Sequence, residues 1–213
     1  LATTGVRPTK DKDVLSWYKM GEVYEELFVL ICKDNKIEAE INHDIMAVVK
    51  ALEEKSGESG KWIHFGATSY DVVDTARALQ HKKAITLIEN AIENLIGSLS
   101  TLAKKHSETI MLGRTHGQWA TPITFGLKMA VFLSELNRHK QRLVEIKPRI
   151  ITGKFLGAVG SGAAMAPYSL EVQSNVCNKL GLNEPLATTQ ILGRDRIAEI
   201  VAWGSNLATS LEK

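Results

Sequence analysis

The residues of this 213-residue chain that could do chemistry gather in a few short breaks rich in glycine. Gly113-Arg114-Thr115-His116-Gly117-Gln118 sets a histidine between glycines, a poor choice for core packing. Imidazole titrates near neutrality, so His116 can donate or accept a proton, unless it only bonds to backbone. In His64-Phe65-Gly66-Ala67-Thr68-Ser69-Tyr70-Asp71, Thr68 and Asp71 fit a capping box, which by itself needs no function. The same helix start, with its backbone N–H groups and the Thr68 and Ser69 hydroxyls, suits a carboxylate or phosphate. Asn42-His43-Asp44 reads locally as a polar helix face with a His–Asp contact. Thr189-Gln190 through Arg196 reads as a polar loop entering a helix, with Asp195 complementing its dipole. Gly153, Gly157, Gly160 and Gly162 read as close backbone packing, since no P-loop or dinucleotide fingerprint fits them. The six histidines and two cysteines show no metal-ligand spacing, so no metal site is expected.

These breaks need rigid elements to hold them, and helical periodicity supplies those. Ile85, Ile88, Ile92, Leu95, Leu99 and Leu102 form one stripe of alternating three and four spacing. Phe125, Met129, Phe132, Leu136 and Leu143 form another. Thr121-Pro122 is expected to open that second helix and Lys147-Pro148 to close or kink it. Further helices are expected at 37–55, 69–81, 168–180 and 194–211. The fold class that follows is all-α, an elongated bundle of long antiparallel helices. Two domains are expected: 1–108, helical and including the start of the first long bundle helix, and 109–213, an incomplete central bundle.

Composition narrows the partners. Twenty-six basic residues balance 24 acidic ones without a basic tract, which argues against nucleic acid and membrane surfaces. Small anionic substrates remain open, because a few local cations suffice for them. Cys32 and Cys177 read as two buried or idle thiols in a reducing compartment. No apolar run approaches the ~20 residues of a membrane span, so a cytoplasmic location is expected. The chain opens at Leu1 rather than Met and stops at Lys213 inside a helical pattern, so it is expected to be incomplete at both ends.

The order of the motifs is more specific than any one of them. The run 37–50 with His43-Asp44, HFGATSYDVVDTA at 64–76, GRTHGQWATPITFGLK at 113–128, GKFLGAVGSGAAM at 153–165 and TQILGRDRIAE at 189–199 resemble adenylosuccinate lyases, in that family's order. The resemblance covers about 37 to 213, and segment 1–36 matches poorly. It implies the fumarase/aspartase superfamily: homotetramers whose helical bundle builds active sites from several subunits. The implied reaction is a β-elimination without a cofactor, releasing fumarate from adenylosuccinate or from the related succinyl aminoimidazole carboxamide ribotide. By this resemblance His116 transfers the proton, with His43 supporting it. Thr68 and Ser69 hold the dicarboxylate end, while Asn42, His43, Asp44, His64, Thr115 and Gln190 contact substrate. The family's serine base sits in a loop expected beyond Lys213, and the N-terminal phosphate-binding Arg-Tyr pair is not recognisable. Position 70 is Tyr where the family usually has a small polar residue. The alternatives are a sister enzyme such as argininosuccinate lyase, or an inactive helical oligomerisation fragment.

Overall fold

The computed structural model describes residues 35–213; Cys32 lies outside them. The chain divides into two compact units, Leu1–Phe65 and Gly66–Lys213.

In the first unit the helix expected over 37–55 is broken. Residues 35–41 are helical, and a separate helix α1 spans Asp44–Ser56. Between them Asn42 takes φ 54°, a left-handed conformation that Asn tolerates better than most residues. The apolar spacing of Ile41, Ile45 and Val48 stays in helical phase across this break, which hides it from a periodicity reading. Ala47, Val49 and Ala51 are the buried residues of α1.

The second unit is built on α2, Ser69–Lys105, a single helix of 37 residues. It joins the expected 69–81 and 85–102 segments. No breaker separates them, and Lys82, Lys83 and Ala84 are good helix formers. Lys104 and Lys105 in its last turn complement the helix dipole. Next come β1, Ile110–Thr115, and β2, Gln118–Thr124, paired antiparallel. Helix α3 spans Phe125–Ile150 and is capped by Thr124, whose hydroxyl accepts the Leu127 N–H at 3.1 Å. Thr121-Pro122 therefore lies in a strand, not at a helix start, with Pro122 paired to Leu112. Pro148 falls in the last turn of α3, which ends at Ile150. Helices α4, Ser169–Leu180, and α5, Asp195–Leu211, agree with the expected 168–180 and 194–211.

The long helices are antiparallel, as the pairs between them show. Glu89 meets Lys147 and Glu93 meets Lys140, so rising numbers on α2 meet falling numbers on α3. Arg149 of α3 pairs with Glu199 of α5, and Glu135 of α3 with Lys213, two residues past the end of α5. The Trp203 indole N–H donates to the His139 carbonyl at 3.0 Å. Ile85 and Ile92 of α2, Leu136, Leu143, Ile146 and Ile150 of α3, and Trp203 and Leu207 of α5 make one core, with Cys177 also buried in it. Gly126 lets α3 start against the end of α2. A Cβ there would stand 2.5 Å from the Ala103 carbonyl oxygen and 2.8 Å from that of His106. The expectation of long antiparallel helices thus holds, with one hairpin added. Among the described residues no helix is long and apolar enough to cross a membrane.

Candidate active site

The first turn of α2 is the candidate anion platform, and its local structure is the expected one. Thr68 and Asp71 close the expected capping box, and the Thr68 N–H donates to the Asp71 carboxylate at 2.9 Å. A carboxylate three residues into the helix would repel an anion docked at its start. Here that charge is compensated. The fully buried Lys154 ammonium donates to Asp71 Oδ1, and the Leu156 and Gly157 N–H groups donate to the same carboxylate at 3.2 and 2.9 Å. Thr75, one turn on, holds Lys154 from the other side: its hydroxyl donates to the Lys154 carbonyl at 3.0 Å. The glycine-rich segment is thereby tied to the helix start. Its glycines do pack closely, as expected: a Cβ on Gly153 would meet Leu182 at 2.9 Å, and one on Gly160 the Thr188 carbonyl oxygen at 2.2 Å. The segment also holds a fully buried lysine, Lys154. A single charge among Phe155, Leu156 and Ala158 was the available signal.

A second carboxylate on the same helix face fixes the loop of Gln190. Asp74 is buried, and its Oδ2 accepts the Leu192 N–H at 2.8 Å. Its Oδ1 takes Arg194 at 2.7 Å, and Arg77 approaches at 3.5 Å. Nearby His81 is held below the ordinary imidazole value, first by burial and then by the Arg77 charge. Burial and the Arg77 charge thus both disfavour the charged form of the His81 ring.

His116 occupies the tip of the β1–β2 hairpin. The strands end at Thr115 and Gln118, leaving His116-Gly117 as a two-residue loop with φ 52° and 72°. Positive φ at both central residues is what a type I′ hairpin turn requires. The register shifts at Gly113, which alone faces Ala120 and Thr121, and a Cβ there would lie 2.4 Å from the Thr121 carbonyl oxygen. His116 and Thr115 are exposed, as are Ile110 and Trp119. The signal for this hairpin was His-Gly itself, with residues suited to strands on either side.

Thr68 and Ser69 begin α2, whereas the hairpin follows its end. At about 1.5 Å per residue, a 37-residue helix is about 55 Å long. One copy of the chain therefore brings Thr68, Ser69 and the Gln190 loop together and holds His116 and Thr115 far from them.

The other named residues lie in the first unit. His43 caps α1: its Nδ1 accepts the Met46 N–H at 3.3 Å and stands 3.6 Å from Asp44 Oδ1. As the acceptor of that cap bond, Nδ1 leaves the proton of the neutral ring on Nε2. Asn42 forms the left-handed corner just before it. His64 Nε2 is enclosed and has no hydrogen-bond partner among the described residues.

A family model for lyases matches residues 18–213, extending the resemblance upstream of the motifs. The chain is 47% identical over 197 residues to an adenylosuccinate lyase of Pyrococcus abyssi, covering 92% of this chain and 41% of that protein. It is 42% identical to the adenylosuccinate lyase of Pyrococcus horikoshii, covering 100% of this chain and 46% of the relative. The chain thus spans about half the length of the curated relatives it matches. Among solved structures, a fumarate lyase from Mesorhizobium superposes with a TM-score of 0.79 at 38% identity, covering 85% of this chain and 43% of that one. A 3-carboxy-cis,cis-muconate lactonizing enzyme from Pseudomonas putida gives a TM-score of 0.75 at 37% identity, covering 83% and 41%. The ordered motifs, the antiparallel helices and these relatives agree: the chain belongs to the lyase family of the fumarase/aspartase superfamily.

Proposed function

We propose that the full-length protein is an adenylosuccinate lyase, which eliminates fumarate from adenylosuccinate to leave AMP. The reading is supported above all by the charge-compensated start of α2, which suits the dicarboxylate end of that substrate. Thr68 and Ser69 bring two hydroxyls to the positive end of the α2 dipole, and Lys154 pairs with the acidic residue of that first turn, Asp71. A base removes the proton on the carbon beside a carboxylate; that electron pair becomes the new C=C bond of fumarate while the C–N bond breaks. With the family's serine as base, His116 protonates the departing nitrogen. Extra charge on the carboxylate is met by preplaced donors rather than by a cofactor. His43 supports His116, and Asn42, Asp44, His64, Thr115 and Gln190 complete the substrate contacts. The related succinyl aminoimidazole carboxamide ribotide fits the same chemistry.

Because α2 separates the anion platform from His116, each working site needs parts of more than one copy. Leu95 and Leu102 of α2 and Leu127 and Val131 of α3 are exposed in a single copy, apolar surface that assembly would cover. A homotetramer with shared sites, in the cytoplasm, is the reading we favour. In the full-length protein we expect adenylosuccinate to yield fumarate and AMP in equal amounts. Turnover of argininosuccinate or 3-carboxy-cis,cis-muconate in place of adenylosuccinate would assign a sister activity instead.

A further inference from the structure

We propose that Asp74 and Arg194 are positioning residues that hold Gln190 in register with Thr68 and Ser69. The inference rests on the lyase reading of those three residues and deepens it. The loop around Gln190 is bracketed. On one side the Thr188 hydroxyl donates to the Ile191 carbonyl at 3.0 Å, closing a turn over Gln190. On the other, the buried Leu192 N–H is committed to Asp74 Oδ2 at 2.8 Å, two residues after Gln190. The loop is also pressed down where Gly160 meets the Thr188 carbonyl, since a Cβ there would lie 2.2 Å from that oxygen. The anchor is on the helix that carries the anion platform. Asp74 lies five residues after Ser69, an axial offset of about 7.5 Å. A rigid helix therefore sets the spacing between Gln190 and the two hydroxyls.

Arg194 extends this link to the first turn. Its guanidinium donates to Asp74 Oδ1 at 2.7 Å and stands 5.5 Å from the centre of the Tyr70 ring. That distance is within cation–π range. Tyr70, next to Ser69, thus serves as the platform on which the end of the Gln190 loop rests. The Asp74 carboxylate is nearly inaccessible while Arg194 is partly open, so Asp74 is the fixed partner and Arg194 the adjustable one.

The test is a double-mutant cycle in the full-length protein, reading kcat and KM for adenylosuccinate together with the melting midpoint. Asp74→Asn keeps an oxygen for the Leu192 N–H but removes the charge that holds Arg194. We expect KM to rise about tenfold with a smaller fall in kcat, and the same change made in a Gln190→Ala background to alter kcat/KM by less than about twofold. Equal losses in both backgrounds would mean that Asp74 acts on stability alone, and would overturn the proposal. Should Asp74→Asn fail to fold, Arg194→Gln runs the same cycle, since the Arg194 side chain is 40% exposed. A wild type that cleaves adenylosuccinate but gives an additive cycle defeats this inference only. A wild type without turnover, or a Gln190→Ala variant with unchanged kinetics, defeats the site reading and this inference with it.

Discussion

Replacing His116 by alanine in the full-length protein is expected to lower kcat for adenylosuccinate by about 10²- to 10⁴-fold, the usual contribution of a positioned acid or base. The expectation follows from where the ring is held. His116 stands at a hairpin tip with its backbone at φ 52°, exposed and away from the core. A substitution there removes no buried contact, so the loss should fall on turnover and leave the melting midpoint nearly unchanged. The backbone adds a control. Asn also adopts left-handed φ readily, so His116→Asn keeps the turn while losing the titrating group. It should be as inactive as the alanine variant. Activity near wild type in His116→Asn would remove the proton-transfer role, because the turn would be intact and the proton donor absent.

The largest expected effect on stability comes from the ion pair beneath the anion platform. Lys154 and Asp71 are both buried, at 0% and 2% exposure. Removing one member of such a pair leaves a buried charge uncompensated, which typically costs about 3–5 kcal/mol. The two members are not equivalent. After Lys154→Met, Asp71 keeps the N–H groups of Thr68, Leu156 and Gly157. After Asp71→Asn, the Lys154 ammonium loses its carboxylate and those three N–H groups lose their anion. Asp71→Asn should therefore destabilise more than Lys154→Met, and the double variant less than the sum of the two. Thermal or denaturant unfolding of the full-length protein reads the order directly. A reversed order would show that the N–H groups contribute little to holding Asp71.

Local features were legible in the sequence and long-range ones were not. The capping box at Thr68 and Asp71 was readable because both partners lie within one helical turn. The stripes on α2 and α3 were readable because alternating three and four spacing needs no knowledge of the neighbour. The hairpin was not, because Thr121-Pro122 carries the same signature as a helix start, whereas here Pro122 sits within a strand. The corner at Asn42 was masked by apolar positions that stay in phase through it. Lys154 and Asp71 are 83 residues apart, and Asp74 and Leu192 are 118 apart. No local pattern links such partners; they meet only once α2 has packed against the glycine-rich segment and the Gln190 loop. The site residues named by resemblance were therefore recognisable singly. What remained hidden was the pairing of Asp71 with Lys154 and of Asp74 with Leu192, and the length of α2 that lies between Thr68 and His116.

That division gives the most direct measurement. Two full-length variants, His116→Ala and Ser69→Ala, should each be nearly inactive alone. Mixed under conditions that exchange subunits, they should recover activity, approaching about a quarter of wild type if each site draws these two residues from different copies. Recovery to that level is the predicted result. Mixed oligomers that form but regain no activity would contradict a site shared between copies.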